Sequence, residues 1–168
     1  ALNMEQSFTR VNPLELVQGF MEIGGQSTKN FNVKQAGLYT GLQLEEIAEK
    51  LALIAAAEPD STSRVQLGEL VNHITVFALR FKQGFHQGAV AFADRAELLD
   101  ADIDLAWVSL GAAFSTSTDA RAAFGEVARA NLDKYPDGVV LRDANGKIKK
   151  PDGWQGPNLL PYVEADEA

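Results

Sequence analysis

The feature that most constrains this chain is a change of texture at Tyr135. Before it, long apolar runs recur at the helical spacing of about 3.6 residues. After it, Pro136, Gly138, Gly146, Pro151, Gly153, Gly156, Pro157 and Pro161 crowd the sequence and exclude long helices. The first part therefore has to build the fold from helices, and the second has to lie against them. Asn12-Pro13 reads as the cap and first residue of a helix with Leu14, Val17, Phe20 and Met21 on its stripe, ended by Gly24-Gly25. A second helix is expected from about Val33 to Ala57, stopped by Glu58-Pro59-Asp60. A third covers Ser63 to Lys82, and Gly84 and Gly88 mark a break. A fourth runs from Ala91 or Arg95 to Phe114, and a fifth from Thr118-Asp119 to about Lys134. The expectation is one all-α domain over residues 1–168. It is a bundle of about five helices with a loose arm at 1–11 and an irregular tail at 135–168. Within the tail, Asn145-Gly146 can turn a small hairpin between Val139-Val140-Leu141 and Lys147-Ile148-Lys149.

Composition narrows the function classes. There is no cysteine, which excludes disulfides and thiolate metal sites. No run of apolar residues is long enough to span a bilayer, and Ala1 to Arg10 does not read as a signal peptide. A cytoplasmic setting is the natural expectation. The formal charge of −8 does not attract a phosphate backbone, so long nucleic acid is a poor partner. A nucleotide carrying its own cation is compatible with that charge.

Carboxylates then stand where a core is expected. On the second helix Leu38, Leu42, Glu45, Glu49, Ala52 and Leu53 share one stripe, and Glu46 lies beside the polar edge of Tyr39, Gln43 and Lys50. On the fourth helix Glu97, Asp100, Asp104, Trp107 and Gly111 share another, flanked by Leu99, Ile103, Leu110 and Phe114. Asp100 and Asp104 are four residues apart and project together. Aspartate is a poor residue for a helix interior. Carboxylates grouped among apolar side chains repel one another and are costly to desolvate, and a divalent cation relieves both. Oxygen donors suit a hard cation, magnesium or manganese. The plain alternative is a solvated acidic face with helix ion pairs such as Glu46 with Lys50. His73 and His86 have no neighbours in sequence that suggest a metal site or a triad, and Trp107 reads as core.

These residues carry a resemblance. Gln43-Leu44-Glu45-Glu46-Ile47-Ala48-Glu49 resembles the EExxE segment of the all-α NTP pyrophosphatase superfamily, which includes MazG-like proteins, phosphoribosyl-ATP pyrophosphohydrolases and dimeric dUTPases. Asp100 to Val108 resembles its second metal helix, with Ala101 where a glutamate is usual and Asp100 or Glu97 able to replace it. Phe124 to Lys134 is similar to its EVHRSNxxK segment, with Ala128 at the histidine, and Asp143 to Trp154 is similar to its DGKxxKPxGW segment.

The resemblance implies magnesium-dependent hydrolysis of a nucleoside triphosphate to monophosphate and pyrophosphate. Manganese is able to substitute. The implied metal ligands are Glu45, Glu46, Glu49, Asp100 and Asp104, with Glu45 and Glu46 nearest the chemistry. Asn131, Lys134, Arg129 and Lys147 are implied at phosphate or sugar, and Tyr39 and Gln43 are within reach of the base. A homodimer or homotetramer is implied, with Trp154 and Pro151 packing the tail onto a neighbouring subunit. Phosphoribosyl-ATP hydrolysis and a non-catalytic helical interaction protein are the alternatives.

Overall fold

The structure, a computed structural model, describes residues 12–144 and 146–163. Its helices are α1 (Pro13–Ile23), α2 (Val33–Ala57), α3 (Ser61–Lys82), α4 (Gln87–Phe92), α5 (Arg95–Thr116) and α6 (Ala120–Leu132), with single 3-10 turns at Pro136–Gly138 and Leu160–Tyr162. The protein is all-α, as expected. The arm at 1–11 lies outside the described residues. No helix among them is long and apolar enough to cross a membrane. The helices fall into two compact units. One is Lys29–Ala93, holding α2, α3 and α4. The other joins Ala1–Thr28 to Asp94–Ala168 and holds α1, α5, α6 and the tail.

Helix starts follow local chemistry. Asn12, Asn32, Asp60, Asp94 and Asp119 each cap a helix through a side-chain oxygen that accepts a first-turn backbone N–H. Asp60 explains why α3 begins at Ser61, two residues before the expected start. It accepts from the Ser63 N–H at 2.8 Å, and that bond lowers its carboxyl from the ordinary value. The break expected at Gly84 and Gly88 is shorter than anticipated. Gly84 turns the chain at a φ of 84°, and Gly88 already lies inside the short α4.

In the first unit α2 and α3 form an antiparallel hairpin around Pro59. The stripe of α2 that is buried is not the leucine stripe but Gly37, Gly41, Ala48 and Ala55, and α3 meets it with Ala78. Small residues let the two backbones approach closely. A Cβ placed on Gly41 would lie 2.8 Å from the Ala78 carbonyl oxygen and 2.9 Å from the Lys82 nitrogen. Leu53 and Ile54, on the outer side of α2, stay exposed.

In the second unit the tail is laid along α6. The Trp154 indole N–H donates to the Ala130 carbonyl at 2.6 Å, and the Asn158 N–H donates to Glu126 at 3.0 Å. The Thr118 N–H donates to the Tyr162 carbonyl at 2.9 Å. Trp154, expected to pack the tail onto a neighbouring subunit, is engaged within its own chain through its indole bond to Ala130. Tyr135 is buried, stacked on Phe20 with centroids 5.0 Å apart, and its hydroxyl donates to the Phe20 carbonyl at 3.1 Å. Arg142 donates to the Gly24 carbonyl. The expected hairpin is reduced to one antiparallel bridge between Arg142 and Ile148, with Lys149 N–H on the Leu141 carbonyl and Asp143 N–H on the Lys147 carbonyl. Asn145, expected at its turn, lies outside the described residues. Gly146 takes a φ of 83° there.

α5 departs most from expectation. No residue on it is buried. Leu99, Ile103, Val108 and Phe114 are exposed, and Trp107, expected in the core, is 78% exposed.

Candidate carboxylate site

On α2 the three glutamates have different surroundings. Glu45 is half-buried, while Glu46 and Glu49 are exposed one helical turn apart. Glu45 accepts a hydrogen bond from the Lys82 ammonium at 2.8 Å, with the lysine side chain 16% exposed and the glutamate 26%. Helical side chains lean toward the N-terminus of their own helix. The Lys82 stem therefore runs back from the end of α3, across Gly41, to the carboxylate one turn further along α2. Its Cγ would stand 2.6 Å from a Cβ at position 41. Gly41 is the groove through which the lysine reaches Glu45. Gln43 and Tyr39 are half-buried on the same helix, one and two turns before Glu46.

On α5, Asp100 and Asp104 are exposed one turn apart, and so is Glu97. The large apolar side chains beside them are exposed as well. Among the described residues no group of three or more histidine, aspartate or glutamate side chains is gathered closely enough to hold a metal. The donor chemistry on each helix is nevertheless all oxygen, which is what magnesium and manganese take.

The residues expected at the substrate are distributed on α6 and the tail. Lys134 donates to Asn131 Oδ1 at 2.9 Å. Its ammonium lies 5.3 Å from the Trp154 ring centroid, and that of Lys150 lies 5.0 Å from it. Two cations are thus gathered on one indole. Arg129 is held between Glu126, at 2.8 Å, and Asp133, at 2.6 Å. The Arg129 guanidinium, followed by the Asn158 N–H, holds the Glu126 carboxyl down to about 2 from an ordinary 4.5. In turn, Glu126 raises the affinity of Arg129 for its proton. Lys147 is half-buried, and its backbone N–H donates to Asp143 Oδ1 at 3.0 Å.

Lys82, Gly41 and Asn158 escape a reading of the sequence. Lys82 stands 37 residues from Glu45, and nothing local marks it. A cleft of about 560 Å³ in the second unit, lined by Leu16, Leu110, Phe114, Phe124, Val127 and Leu159 among others, holds no carboxylate and carries none of this chemistry. Comparison with protein families, with characterised proteins and with solved structures finds no match to the chain.

Proposed function

We propose that this chain is a magnesium-dependent nucleoside triphosphate pyrophosphohydrolase that acts as a homo-oligomer. The observation that carries the reading is the pairing of exposed carboxylates one turn apart on two helices, Glu46 with Glu49 and Asp100 with Asp104. Residues of this kind would hold the cation. Bound magnesium would neutralise phosphate oxygens and favour an attacking hydroxide. The rest is supplied by the chain. Glu45, anchored by Lys82, stands one residue from the ligand pair as a proton acceptor for water. Lys134, steadied by Asn131 and Trp154, and Lys150 offer positive charge to a phosphate. With Arg129 engaged by Glu126 and Asp133, its part is to hold α6 and the tail in place. Tyr39 and Gln43 are the candidates to contact the base.

The apolar surface supports self-association. Leu99, Ile103, Trp107 and Val108 on α5 are all exposed around the aspartates. An apolar helix in water is what a chain presents when a partner covers it.

The test is pyrophosphate release with magnesium over the common NTPs and dNTPs, phosphoribosyl-ATP included. Release from a nucleotide that stops with EDTA and returns with magnesium is expected. Phosphoribosyl-ATP as the sole substrate would point to the biosynthetic alternative. No turnover on any nucleotide, together with no bound metal, would remove the enzyme reading.

A further inference from the structure

We propose that the cleft of the second unit is a binding site for an amphipathic carboxylate, an apolar body of about ten to fourteen carbons that ends in one anionic group. This site is independent of the metal reading, because its lining includes none of the carboxylates of α2 or α5.

Four segments wall the cleft. They are the first turn of α1, the last two turns of α5, the first two turns of α6 and the 3-10 turn at Leu160–Tyr162 with its flanks. The Thr118 N–H on the Tyr162 carbonyl ties the tail wall to the start of α6. A volume of about 560 Å³ suits a small organic molecule. Leu16, Leu110, Phe114, Phe124, Val127 and Leu159 make the lining apolar. Phe114 is 57% exposed and Leu159 38%, so these side chains are open to a ligand rather than closed into a core.

The polar groups of the lining decide the head of that ligand. Asn12 Oδ1 accepts the Leu14 and Glu15 N–H groups at 2.7 and 3.2 Å and so caps α1. The Thr116 and Ser117 hydroxyls donate to the Ala112 and Ala113 carbonyls of α5 at 3.0 and 2.7 Å. These groups serve their own helices, and Arg121 does not. In a chain of net charge −8, it is the sole charged residue of the lining among the described residues. Its guanidinium makes no ion pair among them and lies instead over Phe114, 5.8 Å from the ring centroid. Arg129, two turns further along the same helix, is by contrast closed between Glu126 and Asp133. A guanidinium beside an apolar wall that holds no carboxylate is suited to take one from a ligand, through two parallel hydrogen bonds. One positive charge matches one negative charge. A sugar or a nucleotide would need more hydrogen-bonding partners than this lining offers, so the rest of the ligand is apolar.

The experiment is a calorimetric titration of decanoate, below its micelle-forming concentration, into the full chain, with 1-decanol as the uncharged probe. Wild type is expected to bind one decanoate per chain. Arg121→Gln, at an exposed position, is expected to weaken decanoate about tenfold and leave 1-decanol unchanged. Lys34→Gln, an exposed position on α2, is expected to leave both unchanged. Ala123→Phe places a ring in the cleft and is expected to lose both ligands while keeping its circular dichroism spectrum. If Ala123→Phe does not fold, the comparison of Arg121→Gln with Lys34→Gln decides alone. No decanoate binding by wild type overturns the proposal; if the mass measured by light scattering also falls in Ala123→Phe, the occupant is a second copy of the chain. Equal weakening by Arg121→Gln and Lys34→Gln would mean attraction by overall charge and would overturn it too. Equal decanoate affinity of Arg121→Gln and wild type would remove the anionic head and the proposal with it.

Discussion

Replacing Gly41 with alanine sets two known effects against each other. In a helix interior, alanine is favoured over glycine by about 1 kcal/mol. At position 41 the new methyl would lie 2.6 Å from Lys82 Cγ, 2.8 Å from the Ala78 oxygen and 2.9 Å from the Lys82 nitrogen. The lysine stem is able to rotate away, but the other two atoms are backbone. To reach ordinary contact near 3.5 Å, α3 has to retreat by roughly half an ångström or more along a face packed through small residues. Overpacking of this kind costs about 1–3 kcal/mol. The retreat also loosens neighbouring contacts at Ala48, Ala55 and Ala78. The net expectation is destabilisation by about 1–2 kcal/mol. Gly68, inside α3, is the matched control, because a Cβ there would meet nothing within 4 Å. Gly68→Ala is expected to gain about 1 kcal/mol. Urea unfolding followed at 222 nm, at one protein concentration because association shifts the midpoint, places the two variants on opposite sides of wild type. The reasoning is refuted if Gly41→Ala is as stable as wild type or moves in the same direction as Gly68→Ala.

Four further outcomes follow from the same geometry. Glu49→Gln is expected to abolish magnesium-dependent pyrophosphate release while leaving the circular dichroism spectrum unchanged; normal turnover would disprove its assignment as a ligand. Glu126 is held at about 2, below its ordinary 4.5, so its bonds stabilise the fold above pH 4.5, and that contribution is lost as pH falls through about 2. The stability gap between wild type and Glu126→Gln should therefore shrink from pH 5 to pH 2 in urea melts, and a gap that stays constant over this range would contradict the assigned cause. Trp154→Phe removes the indole donor to Ala130, worth about 1 kcal/mol, and should speed trypsin cleavage after Lys147 and Lys149. Trp107→Glu on the exposed face of α5 should lower the mass measured by light scattering, whereas an unchanged mass would place the subunit contact elsewhere.

The helices were legible because their signals are local. Asn12-Pro13 and Gly24 bound α1 as written, and Pro59 stops α2 because a proline cannot continue the ladder. The start of α3 was misplaced because Asp60, read as part of a stop, also serves as a cap. What periodicity could not supply is which apolar stripe faces inward. α2 is apolar on most sides, and the stripe chosen for burial is the one that permits the closest backbone approach rather than the most hydrophobic one. The same ambiguity hid Lys82, whose partner is fixed by the pairing of α2 with α3. The acidic positions themselves were legible, since carboxylates among leucines stand out. That Glu45 is half-buried against Lys82 while Glu46 and Glu49 are exposed follows from how α2 pairs with α3, which local sequence does not display.

The division into one continuous and one discontinuous unit also bears on how the chain folds during synthesis. Residues Lys29–Ala93 form a closed excursion whose helices meet across a three-residue turn, so this unit can assemble as soon as Ala93 has emerged. The other unit has to bring Phe20 and Gly24 to Tyr135 and Arg142, more than a hundred residues later in the chain. Until the tail arrives, Phe20 lacks its Tyr135 partner and Gly24 lacks Arg142, while the large apolar side chains of α5 lie in water at every stage. The nascent protein therefore passes through a stage with a finished hairpin and an unfinished, adhesive remainder. That stage is where a chaperone or a second copy of the chain would have the greatest effect on yield.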